Sequence, residues 1–437
     1  MKYVILLSIV IMSFMGAVQV IGSDEIMEAA NPAAPAADNI TANSESTPQT
    51  ANIEPVYPMS TERAQLLTSY SRHKNIWRFV GFIIDVIILL IILYTGLSGK
   101  LRRWAEAISR RKFLIYFFYL LFFMVVMFIL NFPVGYYTGF VVQHDYGFSN
   151  QTFSDWFTED LKSSGVSFIF AFILVLILYK LINSFRRWWL YFSIGAIPFA
   201  ILLIVIVPIF VSPLFNKFEP LKDRHLAGEM RNLAEKAGID DPDIYQVNAS
   251  KQSKKLNAYF TGMFGTRRIV LYDTMIDALS VNELKYVMGH EIGHYKMNHI
   301  WKGLFLAVLI IFIFAFLTDR LLPRIIRSHG HRLGFNKLGD VASLPLILLF
   351  MTVFMFVVQP VSNGLSRHYE YQADEFGFKL SGATADEARI AFEKLSAYNL
   401  SDPAPSPLIE FWFYDHPSLN KRIDNLKNLD DKMRSGA

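Results

Sequence analysis

The sequence predicts a mainly α-helical, polytopic membrane protein with a small α+β domain split around the last two membrane spans. Three observations predict it. Hydrophobic residues make up 53% of the 437-residue chain and charged residues only 18%, whereas soluble proteins carry about 25% charged residues. Six apolar runs near bilayer length have basic clusters in alternate connections, and a helix needs about 20 apolar residues to span a membrane. Two stretches polar enough to fold outside the bilayer, 212–298 and 362–437, flank the last two runs.

Residues 1–22 carry one early lysine, Lys2, and then an apolar run, the pattern of a signal peptide or an uncleaved N-terminal anchor. Either one sends the following segment across the membrane. Residues 23–70, rich in Ala, Pro, Asn, Ser and Thr, lack apolar periodicity and read as a disordered linker. A four-span region follows at 71–211, with runs at about 77–97, 113–132, 166–182 and 188–211. Pro198 and Pro208 fall in the fourth, where neighbouring helices can satisfy the freed carbonyls. Two further spans, about 301–322 and 341–361, occupy 299–361.

Within 212–298, residues 221–238 read as an amphipathic helix ending at a glycine. Residues 244–247 and 268–272 are β-branched enough for strands, and Asn257-Ala258-Tyr259-Phe260-Thr261-Gly262 is placed to be the hairpin partner of the second. The next helix, capped near Asn282-Glu283, carries Leu284, Val287, Met288 and Ile292 on its apolar face. Another helix is expected at 383–398 in the last segment.

That capped helix holds His290-Glu291-Ile292-Gly293-His294. Histidines four apart lie nearly on one helical face and can reach one metal ion. Imidazole suits Zn²⁺, and a carboxylate beside the first ligand, here Glu291, can take a proton from water, as in zinc peptidases. The chain has no cysteine, so disulfides, thiolate sites and a cysteine nucleophile are excluded. Zinc must be held by histidines and carboxylates. The net charge of +4 is gathered in short loops, a membrane-orientation pattern that argues against a nucleic-acid partner. The partners expected are the lipid bilayer and a peptide or protein substrate.

A metzincin would need glycine at 297 and histidine at 300, where this chain has Met297 and Ile300. His299 lies about 140° around an unbroken helix from His294 and should face elsewhere. Glu370 and Asp374 share a helical face at i, i+4 spacing. One can ligate the metal while the other hydrogen-bonds a ligating histidine.

The pairing of His290 and His294 with Ser366-Arg367-x-x-Glu370-Tyr371-x-Ala373-Asp374 resembles the type I CAAX prenyl endopeptidases, integral-membrane zinc metalloproteases of the gluzincin group. The likeness extends to residues 257–262, to Arg268-Ile269-Val270-Leu271-Tyr272-Asp273-Thr274 and to Pro213-Leu214-Phe215-Asn216-Lys217-Phe218. It ends with His416-Pro417-x-Leu419-x-x-Arg422 and covers roughly residues 70–430 in the family's order. The resemblance implies Glu370 as third ligand of one Zn²⁺ ion and Asp374 as its supporting carboxylate. It implies His416 and Arg422 as oxyanion stabilisers, and Asn257, Ala258 and Tyr259 as a strand that binds substrate backbone. It also implies helices enclosing a large water-filled chamber. The signal-like start and long linker depart from the eukaryotic pattern.

Hydrolysis by zinc-activated water with Glu291 as general base is the expected reaction. Asp415, beside His416, could orient that imidazole or simply face water, and the second is expected. Two other readings stay open: a site-2-type protease with its motif inside a spanning helix, and a non-catalytic multi-pass scaffold or transporter. Lys100, Arg102, Arg103 and residues 110–112 follow the first span, Lys180, Arg186 and Arg187 the third, and five more basic residues lie between Arg320 and Lys337. Residues 132–165 carry only Lys162. Basic loops stay inside, so the expected location is the inner (cell) membrane with the zinc domain facing the periplasm or exterior. Processing or quality control of membrane proteins would suit such a site.

Overall fold

The structure is a computed structural model that describes residues 58–261 and 267–435. The expected leader at 1–22, the linker before residue 58 and Gly262 lie outside the described residues. Among these, six helices are long and apolar enough to cross a membrane.

Helix α1 (Thr61–Tyr94) corrects the linker boundary at 70. Ser60 caps it by accepting from the Arg63 amide, and Leu67 and Tyr70 pack with Val142, Phe148 and Leu400. Two apolar anchors in a polar stretch are too few to register as periodicity. A short helix, α2 (Leu97–Ile108), turns back to α3 (Lys112–Tyr136), which runs on through a π-turn at Tyr137–Val141 to Asp145. The third span is longer than its apolar run, because a Thr152–Asp155 capping box starts α4 (Phe153–Ser184) well before residue 166. Helix α5 (Trp188–Ile206) ends in a π-turn at Val207–Val211.

The α+β domain opens with β1 (Phe218–Pro220), α6 (Arg224–Lys236), β2 (Asp243–Val247), β3 (Ala258–Thr261) and β4 (Arg268–Tyr272). The sheet order is β1-β2-β4-β3, with β2 parallel to β4 and the other pairs antiparallel. The expected hairpin is present: Ala258 pairs with Leu271 and Tyr259 with Val270, which leaves β3 at an edge. Strand β1 has no sequence signal of its own.

Helices α7 (Asp273–Ala278) and α8 (Val281–Lys296) follow. The cap of α8 is Ser280 rather than Asn282: its hydroxyl accepts from the Glu283 amide, and Glu283 Oε2 accepts in return from the Ser280 amide at 2.7 Å. Asn298 adopts a left-handed conformation (φ 58°) that ends α8 and starts α9 (His299–Leu333) in a new direction. Helix α10 (Leu344–Ser381) carries the sixth span straight on into the domain. Then come α11 (Ala385–Asn399), α12 (Pro407–Phe413) and α13 (Leu419–Ser435).

One apolar core joins helices α1 to α4, α9 and α10 (Leu89, Tyr119, Tyr179, Ala315, Leu346), and a second fills the domain around Ile269, Leu271, Met288 and Ile292. The three basic loops meet at one end of the bundle. Arg102 pairs with Asp340, and Asn183 Nδ2 donates to the Gly339 carbonyl at 2.9 Å. The other end bears the domain, where Arg63 Nε donates to the Ala397 carbonyl at 2.9 Å and Ser71 to that of Leu400 at 3.2 Å.

Candidate active site

Helices α8 and α10 touch along a seam of small residues. Gly293 lies against Ala373 and Phe376, and Gly289 against Gly377, where an added Cβ would come 3.0 Å from the Gly377 carbonyl oxygen. This close approach brings the histidines of one helix against the carboxylates of the other.

His290 Nε2 and His294 Nε2 lie 3.0 Å apart, 3.4 and 3.2 Å respectively from Glu370 Oε2 and Oε1. His290, His294 and Glu370 are all buried. One ligand atom from each of the three lies within 4.8 Å of the others, close enough for all to reach a single ion at about 2 Å, the length of zinc–imidazole and zinc–carboxylate bonds. The donor chemistry agrees. His290 Nδ1 lies 2.9 Å from Asp374 Oδ1, so the proton sits on Nδ1 and Nε2 presents its lone pair. Glu370 Oε2 is buried without a hydrogen bond. The donor set thus fits a cation.

Asp374 is fully buried. It also accepts from Tyr286 Oη at 3.3 Å and, in a two-pronged pair, from Arg422 Nε at 2.8 Å and Nη2 at 2.6 Å. Arg422 Nη2 lies 3.3 Å from Glu370 Oε2, and its guanidinium rests 4.5 Å above the Phe392 ring. So Arg422 reaches the site chiefly by holding both carboxylates. His416 Nε2 lies 3.4 Å from Glu370 Oε1. Asp415 does not simply face water: its Oδ1 is 2.8 Å from His416 Nδ1 and fixes that ring. Burial pushes the His416 imidazole down, but the Glu370 and Asp415 carboxylates outweigh it and raise it to about 10. Burial raises the Glu291 carboxyl to about 7, and its buried Oε2 makes no hydrogen bond.

A cavity of about 230 Å³ opens beside these groups, lined by Tyr70, Lys74, Arg78, Asn257, Ala258, His290, Glu291, His416 and Arg422. Asn257 and Ala258 therefore face it. Tyr259 is not part of its wall. Asn257 Nδ2 is buried and unpartnered.

The expectation that His299 faces away from His294 is overturned. Its Nδ1 lies 3.0 Å from His294 Nδ1. The 140° estimate assumed one continuous helix, and the turn at Asn298 resets the phase. Sequence reasoning also missed Tyr286, although it precedes His290 by one helical turn, and Gln372, whose role depends on His299.

Residues 220–430 match the family described as Peptidase family M48, and residues 40–217 match that described as CAAX prenyl protease N-terminal, five membrane helices. The protein is therefore a multi-pass membrane metalloendopeptidase. A Bacillus subtilis protein described as the uncharacterized metalloprotease YhfN is 33% identical over 373 residues, 85% of this chain and 87% of that protein. CAAX prenyl protease 1 of Saccharomyces cerevisiae is 31% identical over 326 residues, 70% of this chain and 71% of the yeast protein. The chain belongs to the CAAX prenyl protease family. Its fold is that of the crystal structure of S. mikatae Ste24p, with a TM-score of 0.75 at 24% identity over 98% of this chain and 99% of that one. A site-2-type arrangement does not fit, since Val281–Lys296 is not among the six candidate spans.

Proposed function

We propose that this chain is a zinc endopeptidase in which His290, His294 and Glu370 hold one Zn²⁺ ion and Glu291 is the general base. The observation that carries the reading is the buried triangle of ligand atoms, with the unpartnered Glu291 Oε2 beside it on the cavity wall. Zinc at this position supplies Lewis acidity, polarising the scissile carbonyl and lowering the pKa of water toward about 7. Glu291 accepts the proton of the attacking water and returns it to the leaving amine. His416, held protonated by its carboxylate neighbours, donates to the developing oxyanion, an effect worth about 3 kcal/mol per donor. Arg422 acts on the same charge through space, because its Nε and Nη2 are engaged by Asp374.

Substrate backbone adds to the open edge of β3, with Asn257 Nδ2 free to donate to a peptide carbonyl. The basic loops face the cytosol and the site faces the periplasm or exterior. Support comes from the meeting of all three basic loops at the end opposite the domain. Substrates are then segments of membrane or exported proteins, in processing or quality control, rather than the prenylated proteins of the relatives' name.

The test is peptide hydrolysis and metal content of the purified full-length protein, wild type against Glu291→Gln. The amide cannot accept a proton, so the variant keeps its zinc and loses about 10²–10⁴-fold in turnover. Near-wild-type turnover in a zinc-replete variant refutes Glu291 as base.

A further inference from the structure

The two histidines of the proposed zinc site are supported differently. His290 donates to a carboxylate, Asp374, whereas His294 meets a second imidazole. His294 Nδ1 and His299 Nδ1 lie 3.0 Å apart, both rings buried. One of these nitrogens carries a proton and the other a lone pair. The far side of His299 decides which. Its Nε2 lies 3.0 Å from Gln372 Oε1, and Gln372 Nε2 lies 3.2 Å from His368 Nε2.

With the amide in that orientation the contacts from His368 to His294 pair each donor with an acceptor. Gln372 N–H donates to His368, and His299 Nε2–H donates to Gln372 Oε1. A neutral imidazole has one N–H and one lone pair, so His299 Nδ1 accepts from His294 Nδ1–H. His294 Nε2 is left with its lone pair turned toward His290 Nε2 and Glu370 Oε1. The flipped amide would reverse the whole chain and place the His294 proton on Nε2, where it would block ligation. The His299 ring is held for this task by Tyr369, stacked at 4.3 Å and 11°.

We infer that His299, oriented by Gln372, is a positioning residue for the metal site: it accepts the Nδ1 proton of His294 and so fixes Nε2 as the ligating atom. The inference rests on reading His290, His294 and Glu370 as the zinc ligands. It separates a hydrogen-bond role from a packing role, because different substitutions preserve each. His299→Asn places an amide oxygen near the Nδ1 position and loses the stacked ring; His299→Phe keeps the ring on Tyr369 and loses the acceptor. Likewise Gln372→Glu keeps an acceptor for His299 Nε2–H, and Gln372→Leu removes it.

The experiment is zinc competition with a chromogenic chelator on the purified full-length protein and its four variants, with the cobalt-substituted absorption spectrum as a second reading. Outer hydrogen-bond partners of metal-bound histidines contribute about 10–100-fold in affinity. His299→Phe and Gln372→Leu are expected to lose zinc affinity in that range and to shift the cobalt bands. The Asn and Glu variants should stay within about threefold of wild type, below that range. Phe retaining zinc while Asn loses it makes the contact a packing one and overturns the inference, as does equal affinity throughout. A wild-type protein that takes up no zinc overturns the ligand reading, and this inference with it; zinc-replete wild type with unaffected Phe and Leu variants overturns the inference alone.

Discussion

Gly377 lies so close to His290 that a Cβ on it would come 2.5 Å from the His290 amide nitrogen. The nitrogen is backbone and a Cβ is fixed directly to backbone, so neither can swing aside as a long side chain would. Gly377→Ala must therefore push α8 and α10 apart. Overpacking of this kind costs about 1–3 kcal/mol, and here it also opens the triangle between His290, His294 and Glu370. The expected result is a lower thermal midpoint together with reduced zinc content. Gly195→Ala, with nothing within 4 Å of its added Cβ, serves as the control; equal effects in the two would remove the seam from the explanation.

The third ligand separates from its neighbours by metal content. Glu370→Ala deletes the proposed third ligand, a buried carboxylate, and on that assignment should empty the site of zinc. Glu375→Ala removes an exposed carboxylate that pairs with Lys379 at 2.6 Å, and zinc should stay at the wild-type level. Exposed pairs of this kind contribute about 0–1 kcal/mol, so folding should not differ either. Equal zinc loss in both variants would move the ligand assignment elsewhere.

Acid should switch the enzyme off through its base. Burial raises the Glu291 carboxyl to about 7, and nearby positive charge in the zinc-loaded enzyme pulls it lower. A general base must be ionised to accept a proton. Thus kcat/KM falls as pH drops through that pKa, with the limb below 7. Protonation of zinc ligands would give a limb that moves with zinc concentration. Profiles at two zinc concentrations distinguish the causes, and a limb that shifts with zinc counts against Glu291.

Orientation is tested by reporters joined after Ala437. On the orientation proposed above, with the three basic loops in the cytosol, alkaline phosphatase should be active there and a cytosolic fluorescent protein dark. The reverse pattern would place the site in the cytosol, return prenylated C-terminal peptides to the candidate substrates, and leave the hydrolytic chemistry intact.

The sequence by itself determined the six spans, the hairpin of β3 and β4, and the carboxylate pair on α10. Each is a property of spacing within one element: apolar length, alternation, or side chains one helical turn apart. The His-Glu-x-x-His helix was legible for the same reason, although its Ser280 cap was missed by two residues. Only the tertiary structure decided which atoms meet across 84 residues from His290 to Asp374 or 48 from Asp374 to Arg422. It revealed that Asp415 turns toward His416, and that Gly289 and Gly377 let two helices nearly touch. His299 marks the boundary between the two kinds of knowledge. Helical phase carries information only while the backbone repeats the same dihedral angles, and the left-handed Asn298 breaks that repetition one residue before His299. Beyond it, the position of a side chain depends on how the next helix packs.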